Sequence, residues 1–183
     1  MISTRTMSGR LRRLSHVGLL LLVCACAKPV TERTSTSGTI DPARLDMAVQ
    51  KAKEVRAEGK RVWCVPFARN ASGIDIRGDA KTWWTQAKGV FAQGYVPQPG
   101  AVMTFKATRK LPLGHVAVVS EVVSEREILV DHANWSRNQV SLGMAVIDVS
   151  EKNDWSAVRL MSNPDAYGRV YPVEGFILPK PVE

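Results

Sequence analysis

Histidine and cysteine are scarce in this chain, three of each in 183 residues, so nucleophilic or metal-bound chemistry has few places to reside. No cysteines or histidines fall at a zinc spacing, no glycine-rich loop is shaped to cradle phosphate, and no internal repeat is present. These absences argue against zinc modules, phosphate-loop enzymes and solenoids. The composition is 45% hydrophobic and 23% charged, which is ordinary for one globular domain.

The N-terminus reads as a targeting segment rather than fold. Arg5, Arg10, Arg12 and Arg13 form a positive region ahead of an apolar run over residues 17–27. That run is too short to span a bilayer as a mature helix and reads as a secretory signal. Val23-Cys24-Ala25-Cys26 resembles a bacterial lipobox, with lipidation at Cys26 after removal of residues 1–25. Ala25-Cys26-Ala27 offers a signal-peptidase site instead, and an uncleaved anchor is the third reading. Loss of the four arginines lowers the formal net charge from +8 to +4. The remaining positive charge is dispersed, arguing against nucleic acid as a partner while suiting an anionic cell wall. With Cys24 removed and Cys26 acylated, Cys64 is the sole thiol, unpaired in an oxidising compartment, and needs burial or a use.

Residues 26–40, rich in Ser, Thr and charge, read as a flexible tether, and the folded domain is expected over 41–183. Asp41 suits an N-cap and Pro42 the first helical position, with Leu45, Ala48, Val49 and Ala52 at helical spacing and Gly59 as a stop. Pro66 belongs in a first helical turn, which places Cys64 at the start of a helix ended by Gly73. The unpaired amides there favour an anion and lower a thiol pKa. A third helix is expected from Asp79 to Lys88, with Trp83 and Trp84 in the core. Strands are expected over 102–105, 115–123, 127–133, 144–149, 157–161 and 170–178. Helices followed by strands predict an α+β fold, an antiparallel sheet packed on N-terminal helices.

A cysteine nucleophile needs a base, and the base needs an orienting group. Outside the signal, which holds His16, only His115 and His132 are available. If Val123 faces Arg126 across a two-residue turn, His115 faces Asn134 and His132 is its diagonal neighbour on the same side. Asp131 then points to the opposite face, and a one-residue slip would exchange the faces. On the residues alone, a buried structural cysteine and two structural histidines compete with the catalytic reading.

Several short motifs now line up in order. Cys64-Val65-Pro66-Phe67-Ala68-Arg69, Gly78-Asp79-Ala80 with Trp83-Trp84, Pro97-Gln98-Pro99-Gly100, Gly114-His115-Val116-Ala117, Asn134-Trp135 and Gly175-Phe176-Ile177 together resemble the CHAP family. These are the cysteine, histidine-dependent amidohydrolases/peptidases of the NlpC/P60-like group, and the similarity covers roughly residues 60–178. The resemblance implies a papain-like core and hydrolysis of amide bonds in bacterial peptidoglycan, with no metal or cofactor. It implies Cys64 as nucleophile and His115 as general base. Where the family often has Glu-x-Asn, this chain has His132-Ala133-Asn134, so His132 takes the orienting role by analogy, Asn134 helps polarise His115 or the substrate carbonyl, and Asp131 ranks below both. Trp135 and Trp63 are the substrate-binding candidates.

The expected protein is therefore an exported hydrolase, lipid-anchored on the periplasmic side of a bacterial outer membrane, with peptidoglycan as its partner. The bond cut is either N-acetylmuramoyl-L-alanine or one within the stem peptide or cross-link. The rival from another class is an inactive lipoprotein of the same scaffold that binds the wall or an assembly partner.

Overall fold

The computed structural model describes residues 40–164 and 166–181; the signal segment, Cys26 and the tether up to residue 39 lie outside the described residues. Helix α1 (Pro42–Ala57) starts where a cap and a proline coincide: the Asp41 carboxylate accepts a hydrogen bond from the Ala43 amide at 2.9 Å. It buries Ala48 and Ala52, one turn apart, against helix α2 (Cys64–Ser72). Helix α2 carries Pro66 in its first turn, where no intrahelical donor is lost, and ends at Gly73 in the left-handed conformation. A 3-10 turn (Ala80–Thr82) leads into the short α3 (Trp83–Ala87), whose Trp83 is fully buried.

The strands are β1 (Phe91–Gly94), β2 (Val102–Phe105), β3 (His115–Ser124), β4 (Glu127–Ala133), β5 (Val140–Asp148), β6 (Ala157–Asn163), β7 (Ala166–Tyr167) and β8 (Tyr171–Pro181). All pairings are antiparallel. The α+β expectation holds at that level, but the open sheet of a papain-like core does not. Strands β2, β3, β4, β5, β6 and β8 close into a six-stranded barrel, because β8 pairs with β2 and also with β6. The closure depends on the length of β8. Its first residues, Tyr171 and Pro172, pair with β6, residues 173–177 with β2, and its later part with β1. Strands β1 and β7, absent from the sequence reading, are attached outside this ring.

The barrel wall separates two cores. Met103, Phe105, Ala117, Val119, Val130, Leu160 and Phe176 fill the interior. Val102, Val116, Val118, Ala133 and Ile177 face outward onto Phe67, Ala68, Ala71 and the other helix residues. Strands β2 and the first half of β3 are thus buried on both faces, which accounts for the unbroken apolar run Val116–Val119 in β3.

The β3–β4 register answers the question of faces. The turn is Glu125-Arg126, one residue later than expected, with Ser124 paired to Glu127. Two irregularities along the hairpin take up the difference, so that Val118 pairs with Asp131. At the end that matters, the register is the one expected from a Val123–Arg126 pair. His115 and His132 share the interior face, and Asp131 faces outward, where it accepts a hydrogen bond from the Gly143 amide at 2.7 Å.

Gly114 sets the entry to β3. Its φ is +68°, and a Cβ there would lie 2.8 Å from the Lys81 nitrogen and 2.9 Å from the Phe105 carbonyl oxygen. Both obstacles are backbone and cannot swing away. Gly114→Ala is expected to cost at least about 2 kcal/mol through the combined strain and clash. A urea unfolding curve with an unchanged midpoint would contradict this placement of the β3 entry.

Candidate active site

The site lies at the rim of the barrel, where the first turn of α2 meets the start of β3. Cys64 is a free, half-buried cysteine packed with the outer core. Its thiol stands against the backbone amides of Val116, Val65 and Cys64 itself, which pull its pKa down, but burial outweighs them and raises it above the ordinary value. This corrects the expectation from helix position alone. The amides are there, but the thiol they address is too dry for the charged form to win.

The Val116 amide is the neighbour of His115 on β3, so Cys64 and His115 reach one cleft from opposite sides of the wall. One comes from the helical layer and the other from the barrel's interior face. His115 Nε2 and His132 Nδ1 lie 2.9 Å apart. Both rings are buried, and burial holds His115 well below its ordinary pKa, helped by the charge His132 would carry. Burial alone lowers His132 from 6.5 to about 4. With Nε2 of His115 taken up, its Nδ1 remains for the cleft that the residue lines.

An aromatic cage fixes the two imidazoles. Trp135 stacks on His132 with an interplanar angle of 25° and meets His115 and Tyr171 edge-on. Phe105 closes the cage against His115 and Trp135. Trp135 Nε1 donates to the Ser162 hydroxyl at 3.0 Å. Trp135 therefore sits beneath the histidines as their support. Trp63, in contrast, is 45% exposed and lines the cleft itself.

Asn134 also lines the cleft, in a left-handed conformation with φ of 63°. Its Oδ1 accepts from the Asn138 amide at 2.9 Å and from Arg61 Nε at 3.2 Å. Asn138, likewise left-handed, accepts the Val62 amide on its Oδ1 at 2.8 Å. These bonds tie the β4–β5 loop to the strand of chain that delivers Cys64. Asn138 was absent from the sequence reading; its only local signal is an Arg-Asn-Gln turn between two strands.

The cleft has a volume of about 660 Å³. Its floor holds Cys64, His115 and Asn134, and Leu111, Pro112 and Leu113 form an apolar wall. Arg61, Arg69 and Asp79 are its charged lining residues. No group of three His, Cys, Asp or Glu side chains could hold a metal ion among the described residues.

Two neutral buried histidines make the fold sensitive to acid. In the unfolded chain His132 takes a proton near 6.5, and in the folded chain only near 4. Between these values the unfolded state binds more protons, so stability is complete above 6.5 and is lost as pH falls toward 4. The urea midpoint is expected to fall from pH 7 to pH 5, and to fall less in His132→Asn. Equal slopes in the two proteins would show that His132 is not held neutral by the fold.

No curated protein matches the chain significantly. The family model described as CHAP domain matches residues 56–134, a stretch that begins at the end of α1 and runs through Cys64, His115 and His132 to Asn134. That central segment, which holds every residue lining the cleft, is similar to the CHAP domain.

Proposed function

We propose that this protein is an exported cysteine hydrolase that cleaves amide bonds of bacterial peptidoglycan. The CHAP match supports a peptidoglycan-hydrolase type of function. The observation that carries the finer reading is that Cys64 and His115 line one cleft, with His132 buried behind His115 at 2.9 Å.

The chemistry follows from the proton positions. The resting pair is a neutral thiol and a neutral imidazole, because burial opposes both charges. Attack therefore couples two events: the Cys64 sulfur bonds to the amide carbon as its proton passes to His115 Nδ1. For Nδ1 to accept, the His115 proton must sit on Nε2 and be donated to His132 Nδ1. His132 then carries its own proton on Nε2, an atom buried without a partner among the described residues. His132 thus orients His115 and accepts the hydrogen bond that the imidazolium strengthens.

The amide nitrogen leaves with the proton from His115, a thioester joins the acyl part to Cys64, and water activated by the same imidazole releases it. In this reading the backbone amide of Cys64 stabilises the oxyanion. Asn134 shapes the cleft beside His115, and Trp63 offers a ring to sugar or peptide. Lipidation at Cys26 anchors the enzyme to the membrane beside its substrate.

Digestion of purified sacculi by wild type, with mass analysis of the fragments, identifies the bond as muramoyl-L-alanine or as one within the stem peptide or cross-link. Cys64→Ala is expected to release no fragments. Sacculi that are bound but left whole by the wild type would favour the wall-binding lipoprotein instead.

A further inference from the structure

Three charged side chains line the cleft, and only one lacks a counter-charge. Asp79 has Lys81 at 3.8 Å, and Arg69 has Asp75 at 3.7 Å. Arg61 forms no salt bridge among the described residues. It is nonetheless held in place. Its guanidinium carbon lies 4.4 Å from the centre of the Trp63 ring, and its Nε donates to Asn134 Oδ1 at 3.2 Å. The Asn138 amide fixes that same oxygen at 2.9 Å.

A charge that merely solvates a surface needs none of these restraints. Here the ring fixes the plane of the guanidinium, and the Nε bond fixes its rotation. The Nη donors make no hydrogen bond among the described residues. A planar fork with two free Nη nitrogens matches a carboxylate. On the far side, Leu111, Pro112 and Leu113 supply no charge to compete for it.

We infer that Arg61, seated on Trp63 and pinned by Asn134, is a specificity-determining residue that binds a carboxylate of the substrate beside Cys64. The inference rests on the hydrolase reading for its substrate, a peptide amide of the cell wall. Two carboxylates have this chemistry: that of an acidic residue within the stem peptide, and that of a free chain end.

The test uses stem peptides whose acidic residue or C-terminus is separately left free or amidated. Wild type is expected to cleave one acid form about ten- to hundredfold better in kcat/KM than its amide, the worth of a charged hydrogen-bonded contact. The sensitive position names the source. Arg61→Gln should erase the preference, and Arg61→Lys, which keeps the charge but not the fork, should restore only part of it. A second readout does not need hydrolysis: the rate of Cys64 alkylation by iodoacetate relative to iodoacetamide. Removing a nearby cation should lower that ratio about fivefold in Arg61→Gln and leave it close to wild type in Arg61→Lys. A changed ratio in a protein that cuts no peptide would sink the hydrolase reading and keep the anion site. Cys64-dependent cleavage with acid and amide treated alike, and an unchanged ratio, would overturn this inference alone.

Discussion

The contact between His115 and His132 constrains everything around it, because it joins two buried rings that burial keeps neutral. An imidazole has one proton and two nitrogens, so each ring's tautomer dictates the next. A base at Nδ1 of His115 forces a donor at its Nε2, an acceptor at His132 Nδ1, and a buried, unpartnered donor at His132 Nε2. That last atom bears the cost of the arrangement. The stacked face of Trp135 and the edge of Phe105 leave the rings little freedom to rotate out of it.

The barrel explains how two side chains from different cores reach one cleft. Strand β3 is a wall with an outer core of valines against α2 and an inner core around Phe105. Cys64 approaches from outside and meets the amide of Val116, and His115 comes from inside at the strand's first residue. Gly114, which tolerates no Cβ, lets the chain turn into the wall at that point. Cys64 is held independently, through the Val62–Asn138 bond and the Asn134 bond to Arg61. The β4–β5 loop thereby couples the strand that carries His132 to the helix that carries Cys64.

Much of this was legible because the signals were local. Pro66 and Gly73 bracket α2, Asp41 and Pro42 start α1, and the alternation of β3 and β4 puts both histidines on one face. The hairpin reading reached the right register at His115 by way of the wrong turn, since two irregularities cancelled a slip that no pattern in the chain announces. The closure of the barrel was illegible for a different reason. It depends on one long strand pairing with three partners, and no periodicity records which neighbours a strand chooses. The thiol's raised pKa was missed because helix position is written locally, whereas desolvation comes from everything packed around it. Arg61 lay in plain view three residues before Cys64, but its meaning needed Asn134, brought from 73 positions away.

A carboxylate is the stronger partner for an imidazolium, yet its absence at position 132 fits this rim. The residue there has no exposed surface and lies under the face of Trp135. An ionised carboxylate in that place would need several donors to offset its lost hydration, and the cage supplies aromatic carbon instead. A second imidazole keeps the hydrogen bond and the alignment without a buried charge. It forgoes the electrostatic pull that would hold Cys64 and His115 as an ion pair at rest. The thiol then favours its protonated form, which also protects a free cysteine, since the thiolate is the form that oxidises. Charge of the opposite sign stands on the cleft's lip, at Arg61, where water bears the cost of keeping it ionised. Inside, geometry does the aligning; outside, a solvated cation lines the cleft.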